Sequence, residues 1–294
     1  MKSLYFLQKS YYNGIIRRVK TMKADEVIIF SDMDGTLLTD WSMGPRVPQN
    51  NLDAIKKFVA AGGMFSIASG RQFGETLRYF ESIELSAPTV QGNGAVIYDS
   101  VRGLVHNKII LPEPVKLECL DYRNRTKGLW LAAADEFNIY QIESDDRAWD
   151  ASINDLRRKL ISVEEYMALD LVKTCFVIAD ETKLSSIAAD IQKFETVDMF
   201  RVTQSSPVFL EILEKSVGKA SGVAQAVKLA GAEGRTLVCI GDYDNDIDML
   251  SLADIAACPS NSSPRVLEMA DIVTCSNNEG AIADLIRLLN LEES

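Results

Sequence analysis

The sequence predicts an α/β protein, a parallel-sheet core interrupted by an inserted domain of α+β type. Three observations carry this expectation. Apolar runs of strand length alternate with helical stretches near the start of the chain and again from Lys219 onward, the rhythm of parallel strands joined by crossover helices. Between about Pro112 and Lys215 the strands instead come in adjacent pairs before and after helices. Two of the buried-type runs, one ending near Ser31 and one at Ile240, lead directly into aspartates. Ligands of open parallel sheets bind beyond such carboxyl ends.

The 294 residues suffice for two domains with a sizeable core. The expected division is a tail over 1–24, a core over 25–111 and 215–294, and the inserted domain over 112–214. A composition of 47% hydrophobic and 25% charged residues is that of a soluble globular protein. The formal charge of -11 argues against nucleic acid as the main partner, since phosphate backbones need basic faces. An acidic chain that handles an anionic substrate also needs a local positive centre, most simply a metal. Cys119, Cys175, Cys239, Cys258 and Cys275 form no C-x-x-C pair and mostly sit in apolar, strand-like context, the pattern of reduced thiols in a cytoplasmic protein. His106 is the only histidine, which rules out a multi-histidine zinc site but not a triad. Leu4-Tyr5-Phe6-Leu7 is too short for a signal peptide, and no run reaches the length of a membrane span. Lys2, Lys9, Arg17, Arg18, Lys20 and Lys23 make the first segment basic, and it reads as an appended tail upstream of a start at Met22 rather than a membrane-attracted arm.

Taken in order, Ile28-Ile29-Phe30-Ser31 is a buried strand. After a loop with Pro45 and Pro48, Asn50 or Asn51 can cap a helix whose apolar face is Leu52, Ile55, Phe58 and Val59, stopped by Gly62-Gly63. A strand over 64–68 and a helix with Leu77, Tyr79, Phe80 and Ile83 come next. Residues 89–98 read as two short strands about a hairpin-type turn; their Gly-x-Gly lacks the third glycine and the following helix of a dinucleotide fingerprint. The inserted domain is expected as helix 113–127, strands 129–134 and 137–143, helix 150–160, strand 171–179, helix 182–194, and strands near 200–203 and 208–213. Alternation then resumes with a helix from Lys219, strand 236–240, helix 245–253, strand 255–258, helix 264–269, strand 272–274 and helix 281–289.

Chemistry is concentrated in four places. Asp32 and Asp34 lie two residues apart where the first strand ends, so both can face one pocket, and Gly35 permits a sharp turn with open backbone amides. Gly241-Asp242-Tyr243-Asp244-Asn245-Asp246 continues from the 236–240 strand, so two parallel strands can bring their terminal acids together. Clustered carboxylates are costly to keep ionised without a cation among them, and hard oxygen donors point to magnesium. A calcium EF-hand fails because Ile247 stands at the required glycine and Ala253 at the bidentate glutamate. Asp244 and Asp248 read as polar or capping positions. Ser69-Gly70-Arg71 supplies a hydroxyl, a flexible backbone and a guanidinium at a strand end, the parts of a phosphate grip. Lys219 opens a helix after Gly218.

Together these pieces resemble the haloacid dehalogenase superfamily of phosphatases. Asp32-Met33-Asp34-Gly35-Thr36-Leu37-Leu38 is similar to its first motif, Ser69-Gly70-Arg71 to its second, Lys219 to its third and 241–246 to its fourth. The insertion between the second and third motifs, with Asn93-Gly94-Ala95, resembles the Cof-type branch and its large cap domain. The resemblance covers about residues 25 to 290; Ala220 departs from it, where the branch often has glycine, and the basic tail has no counterpart.

The resemblance implies a Rossmann-like core with a cap, and a magnesium-dependent phosphatase of small phosphorylated metabolites, sugar phosphates first and nucleotides or a phosphorylated cofactor as alternatives. Asp32 would be the nucleophile, forming an aspartyl-phosphate, and Asp34 the general acid and base. Mg2+ would be held by the Asp32 carboxylate, the Asp34 backbone carbonyl and Asp242, with Asp246 nearby or acting through water. Ser69 and Lys219 would bind phosphoryl oxygens with the Gly70 backbone, Asn245 would orient this shell, and Arg71 would reach toward phosphate or substrate. A phosphomutase and a non-catalytic phosphate-binding protein are the other readings of the same motifs. Arg123, Arg125, Lys127, Arg147 and Lys173 are charges of the inserted domain that could meet a polar substrate, each read as solvated surface.

Overall fold

In the computed structural model, residues 22–100, 102–144, 158–206 and 208–291 are described. Residues 1–21 of the expected tail, Arg147 and most of the helix expected over 150–160 lie outside them.

A five-stranded parallel sheet organises the core. Its strands are β1 (Val27–Ser31), β2 (Met64–Ile67), β12 (Thr236–Ile240), β13 (Ile255–Pro259) and β14 (Ile272–Thr274), in the spatial order β14-β13-β12-β1-β2. β1 runs between β12 and β2, with Val27 opposite Thr236 and Ile28 opposite Met64. All five of its residues are buried. Val27 and Ile29 enter one hydrophobic cluster, with Ile55, Phe58, Leu285 and Ile286 from the helices Gln49–Ala60 and Ala281–Leu288. Ile28 and Phe30 enter another, with Val223, Ala226 and Met249 on the opposite face. The period of two thus divides a continuous apolar run between two cores, and each such side chain is worth roughly 1.5–3 kcal/mol buried. β1 is therefore a rigid mount for the loop at its carboxyl end.

A three-stranded antiparallel unit, β3 (Thr89–Gln91), β4 (Val96–Asp99) and β5 (Leu104–Lys108), adjoins the core sheet through an isolated bridge between Ala68 and Val90. β5 is an exposed edge strand with no apolar alternation, so its sequence gives no expectation of it. Between residues 129 and 214 lies a six-stranded sheet. It comprises β6 (Leu129–Ala134), β7 (Ile139–Ile142), β8 (Arg158–Ile161), β9 (Lys173–Ile178), β10 (Phe200–Ser206) and β11 (Phe209–Glu214). The order is β10-β11-β9-β6-β7-β8, antiparallel except for β7 with β8. The helices Glu113–Arg125, Val163–Ala168 and Leu184–Ile191 cover one face, where Phe176, Ile178, Leu210 and Ile212 point. Alternate residues of the same strands, Lys173, Cys175 and Val177 on β9 and Phe209 and Glu211 on β11, line a cavity that also includes residues of the core.

Most elements fall within a few residues of their expected bounds. Three differences have physical causes. The helix Gln49–Ala60 starts after Pro48, one residue before the expected caps; Asn51 is buried and accepts from the Ala283 N–H at 2.9 Å, so its polarity serves a helix–helix contact. The end of the expected 150–160 helix is instead the start of β8, held by pairing with β7. Val163–Ala168 is a short helix nucleated by a Ser162–Glu165 capping box, too brief to show a period. Among the described residues no helix is long and apolar enough to cross a membrane.

Candidate active site

The first motif leaves β1 with the Asp32 N–H donating to the Ile240 carbonyl at 2.9 Å, which extends the sheet by one residue. The chain then turns through Gly35 at φ +75°, a conformation that favours glycine. Space demands glycine as well, because a Cβ there would overlap the carboxylate of Asp242. Thr36 completes the junction, its hydroxyl donating to Asp242 Oδ1 at 2.9 Å. The loop after β1 therefore meets the loop after β12, with Thr36 and Asp242 206 positions apart in sequence.

Lys219, at the first turn of the helix Lys219–Leu229, has its side chain fully buried. Its Nζ donates to Asp32 Oδ1 and to Asp246 Oδ1, each at 2.5 Å. The other oxygen of Asp246 accepts from the backbone N–H groups of Asp242 at 3.0 Å and Tyr243 at 3.2 Å. Asp246 thus ties the lysine to the loop that carries Asp242. Ser69 is buried at the end of β2, where its Oγ accepts from the Arg71 N–H at 3.1 Å. Gly70 lies against the Asn93 side chain, and Asn245 donates to Asn93 Oδ1 at 3.4 Å. Arg71 grips the carboxylate of Asp34 with Nε at 2.7 Å and Nη2 at 2.5 Å. The guanidinium lies 5.2 Å from the ring centre of Trp41 and 5.8 Å from that of Tyr79.

One oxygen from each of Asp32, Asp242 and Asp246 lies within 4.8 Å of the others. Burial raises Asp32 from 3.8 to about 7, outweighing the pull of Lys219, and the charges of Asp246 and Asp34 add to the rise. Burial raises Asp242 to about 8, with repulsion from Asp32 and Asp246. Burial on its own would lower Lys219, but Asp246 and Asp32 outweigh it and raise the group well above its ordinary range. One buried ammonium among two buried carboxyls and the half-buried Asp242 leaves a surplus of hard oxygen donors, which fits a divalent cation.

Asp32, Asp34 and Asp242 open onto a cavity of about 470 Å3 between the parallel sheet and the six-stranded one. Its walls include Trp41, Arg158, Lys173, Phe209 and Glu211. Lys173 and Arg123 are buried, contrary to their reading as solvated surface, and Arg123 donates to the Glu143 carbonyl. Glu211 and Ser205 carry no motif; alternation along β9 and β11 is the signal that puts Glu211 on the face of Lys173, and Ser205 reaches Glu211 from β10. His106 sits on β5 beside Asp99, 3.5 Å away, and is not a lining residue of the cavity.

The sequence matches the haloacid dehalogenase-like hydrolases over residues 29–286. YcsE of Bacillus subtilis, a 5-amino-6-(5-phospho-D-ribitylamino)uracil phosphatase, is 26% identical over 269 residues, spanning 92% of this chain and 98% of its own. Among solved structures, the HAD subclass IIB sugar phosphatase BT4131 superposes with a TM-score of 0.74 at 20% identity, covering 90% of this chain and 98% of that one. BT1666 from Bacteroides thetaiotaomicron, also a phosphatase, gives 0.75 at 21% identity over 90% and 94%. Sheet order, inserted sheet and carboxylate cluster agree with this match, and the chain belongs to the haloacid dehalogenase-like hydrolases, as an enzyme of their phosphoric monoester hydrolase type.

Proposed function

We propose that the protein is a magnesium-dependent phosphatase that hydrolyses a small phosphorylated metabolite through an aspartyl-phosphate on Asp32. The observation that carries the proposal is the convergence of Asp32, Asp242, Asp246 and Lys219, with Asp32 and Asp242 on the wall of the cavity and Lys219 and Asp246 buried behind them.

In this reading a carboxylate oxygen of Asp32 bonds to phosphorus as the ester P–O bond breaks, and Asp34 gives its proton to the departing alkoxide. Asp34 then takes a proton from the water that attacks the aspartyl-phosphate, releasing inorganic phosphate and restoring Asp32. Lys219, the Ser69 hydroxyl and the Gly70 backbone bind phosphoryl oxygens, Asn245 orients them through Asn93, and Arg71 holds Asp34 in the resting state. Magnesium, held by Asp32, the Asp34 carbonyl and Asp242 with Asp246 beside them, supplies the positive charge that a chain of net charge -11 needs against a phosphate dianion.

We assign residues 25–111 and 215–294 to the catalytic core and 112–214 to the cap, which covers the leaving group and keeps water from the first step. A sugar phosphate is the favoured substrate class: BT4131 is a sugar phosphatase, and the YcsE substrate carries its phosphate on a ribityl chain. The test is hydrolysis of p-nitrophenyl phosphate and a panel of sugar phosphates with magnesium. Chelation and Asp32→Asn should each abolish turnover. Undiminished hydrolysis by Asp32→Asn would remove Asp32 from the nucleophile's role, and no turnover of any ester by the intact protein would favour a phosphate-binding protein instead.

A further inference from the structure

Two charged side chains on the cavity face of the six-stranded sheet have no part in the chemistry above. Lys173 on β9 and Glu211 on β11 are 8% and 7% exposed. The Lys173 ammonium donates to Glu211 Oε1 at 3.0 Å and to the Gly70 carbonyl at 2.8 Å. Glu211 also accepts from the Ser205 hydroxyl at 3.1 Å and, through Oε2, from Asn93 Nδ2 at 2.5 Å. Both carboxylate oxygens are thus already engaged, which argues against a pair waiting for substrate hydroxyls.

Both members of the ion pair belong to the six-stranded sheet, whereas Gly70 and Asn93 belong to the other part of the chain. Gly70 is next to Ser69. The Asn93 N–H donates to the Ser69 carbonyl at 2.9 Å, and its side-chain oxygen receives the Asn245 amide. The pair's hydrogen bonds to the core therefore go to the carbonyl of Gly70, a residue assigned to phosphoryl binding, and to Asn93, which touches Ser69 and Asn245. If the sheet lifts, Lys173 and Glu211 stay together and return to water. When it seats, they lose that water, and the loss is offset only if the Gly70 carbonyl and the Asn93 amide are met in register.

We propose that Lys173 and Glu211 are positioning residues: seated, they fix the Ser69–Arg71 segment and, through Asn93, the amide of Asn245, so that the phosphoryl site is complete only when the cap is down. The inference rests on the phosphatase reading for its catalytic consequence but not for its structural one. The experiment is the double variant Lys173→Met with Glu211→Gln, which removes both charges at similar volume and leaves no lone buried ion. Two readouts are taken, amide hydrogen exchange of the peptide spanning 69–72 and steady-state hydrolysis of p-nitrophenyl phosphate and a sugar phosphate.

Exchange over 69–72 should quicken at least about tenfold while that of β1 is unchanged, and kcat should fall about tenfold or more for both esters, with KM altered less than about threefold. Equal loss for the two esters separates positioning from recognition of the leaving group. Wild-type exchange over 69–72, wild-type kcat, or a loss confined to the sugar ester overturns the proposal. Faster exchange in the variant with no turnover by the wild-type protein would instead sustain the contact and refute the phosphatase reading.

Discussion

At the scale of single residues, the site is held by atoms that leave no room for substitution. Gly35 combines a positive φ with direct contact against the Asp242 carboxylate. Gly35→Ala should therefore displace a candidate metal ligand and weaken divalent-ion affinity by about 10–100-fold, read from the activation curve against metal concentration. Lys219→Met removes the ammonium shared by Asp32 and Asp246. Leaving buried carboxylates unpaired should cost about 3–5 kcal/mol in urea denaturation. Added magnesium should recover part of that loss, since the ion would replace the missing charge.

Residue chemistry is unevenly legible in the sequence. Asp32, Asp34, Asp242 and Ser69 announce themselves because each lies just beyond an apolar run of strand length, and strand ends are where such sheets bind ligands. Lys173 and Glu211 have no such signature. A lysine and a glutamate in half-apolar strands read as solvent-facing, and only the pairing of β9 with β11 and the presence of Gly70 opposite reveal them as buried partners.

At the scale of elements, core strands are legible because burial on both faces gives unbroken apolar runs, while β5 and β8 are not. Arg158–Ile161 becomes a strand by lying beside β7, a tertiary cause absent from its own composition. Asn51 shows the same in a helix. Its side-chain oxygen accepts from Ala283 in the first turn of the helix Ala281–Leu288, at 2.9 Å. Asn51→Leu should cost about 1–3 kcal/mol through the orphaned N–H, lowering Tm with kcat nearly unchanged, since the contact is made in the core away from the cavity walls.

For the whole molecule, the acid cluster links stability to pH. In metal-free protein Asp32 and Asp242 stand near 7 and 8 folded against 3.8 for an ordinary aspartate, so the fold binds protons that the unfolded chain has released. Their contribution is complete below the unfolded value and is lost as pH rises through 7 to 8. Metal-free protein should then melt lower at about pH 8.5 than at about pH 6, and magnesium should raise Tm more at the higher pH. A larger magnesium effect at the lower pH would count against an ion among these carboxylates.

The pairing of β1 with β12 also bears on how the protein comes to exist. Asp32 emerges from the ribosome early, but its neighbours Lys219 and Asp242 arrive only after the whole six-stranded sheet has been translated, Thr36 and Asp242 being 206 positions apart. During most of synthesis β1 has β2 beside it and an open edge on the other side. A nascent chain is thus both inert toward phosphate esters and vulnerable to sticking, and the two conditions end together when the last quarter of the polypeptide arrives.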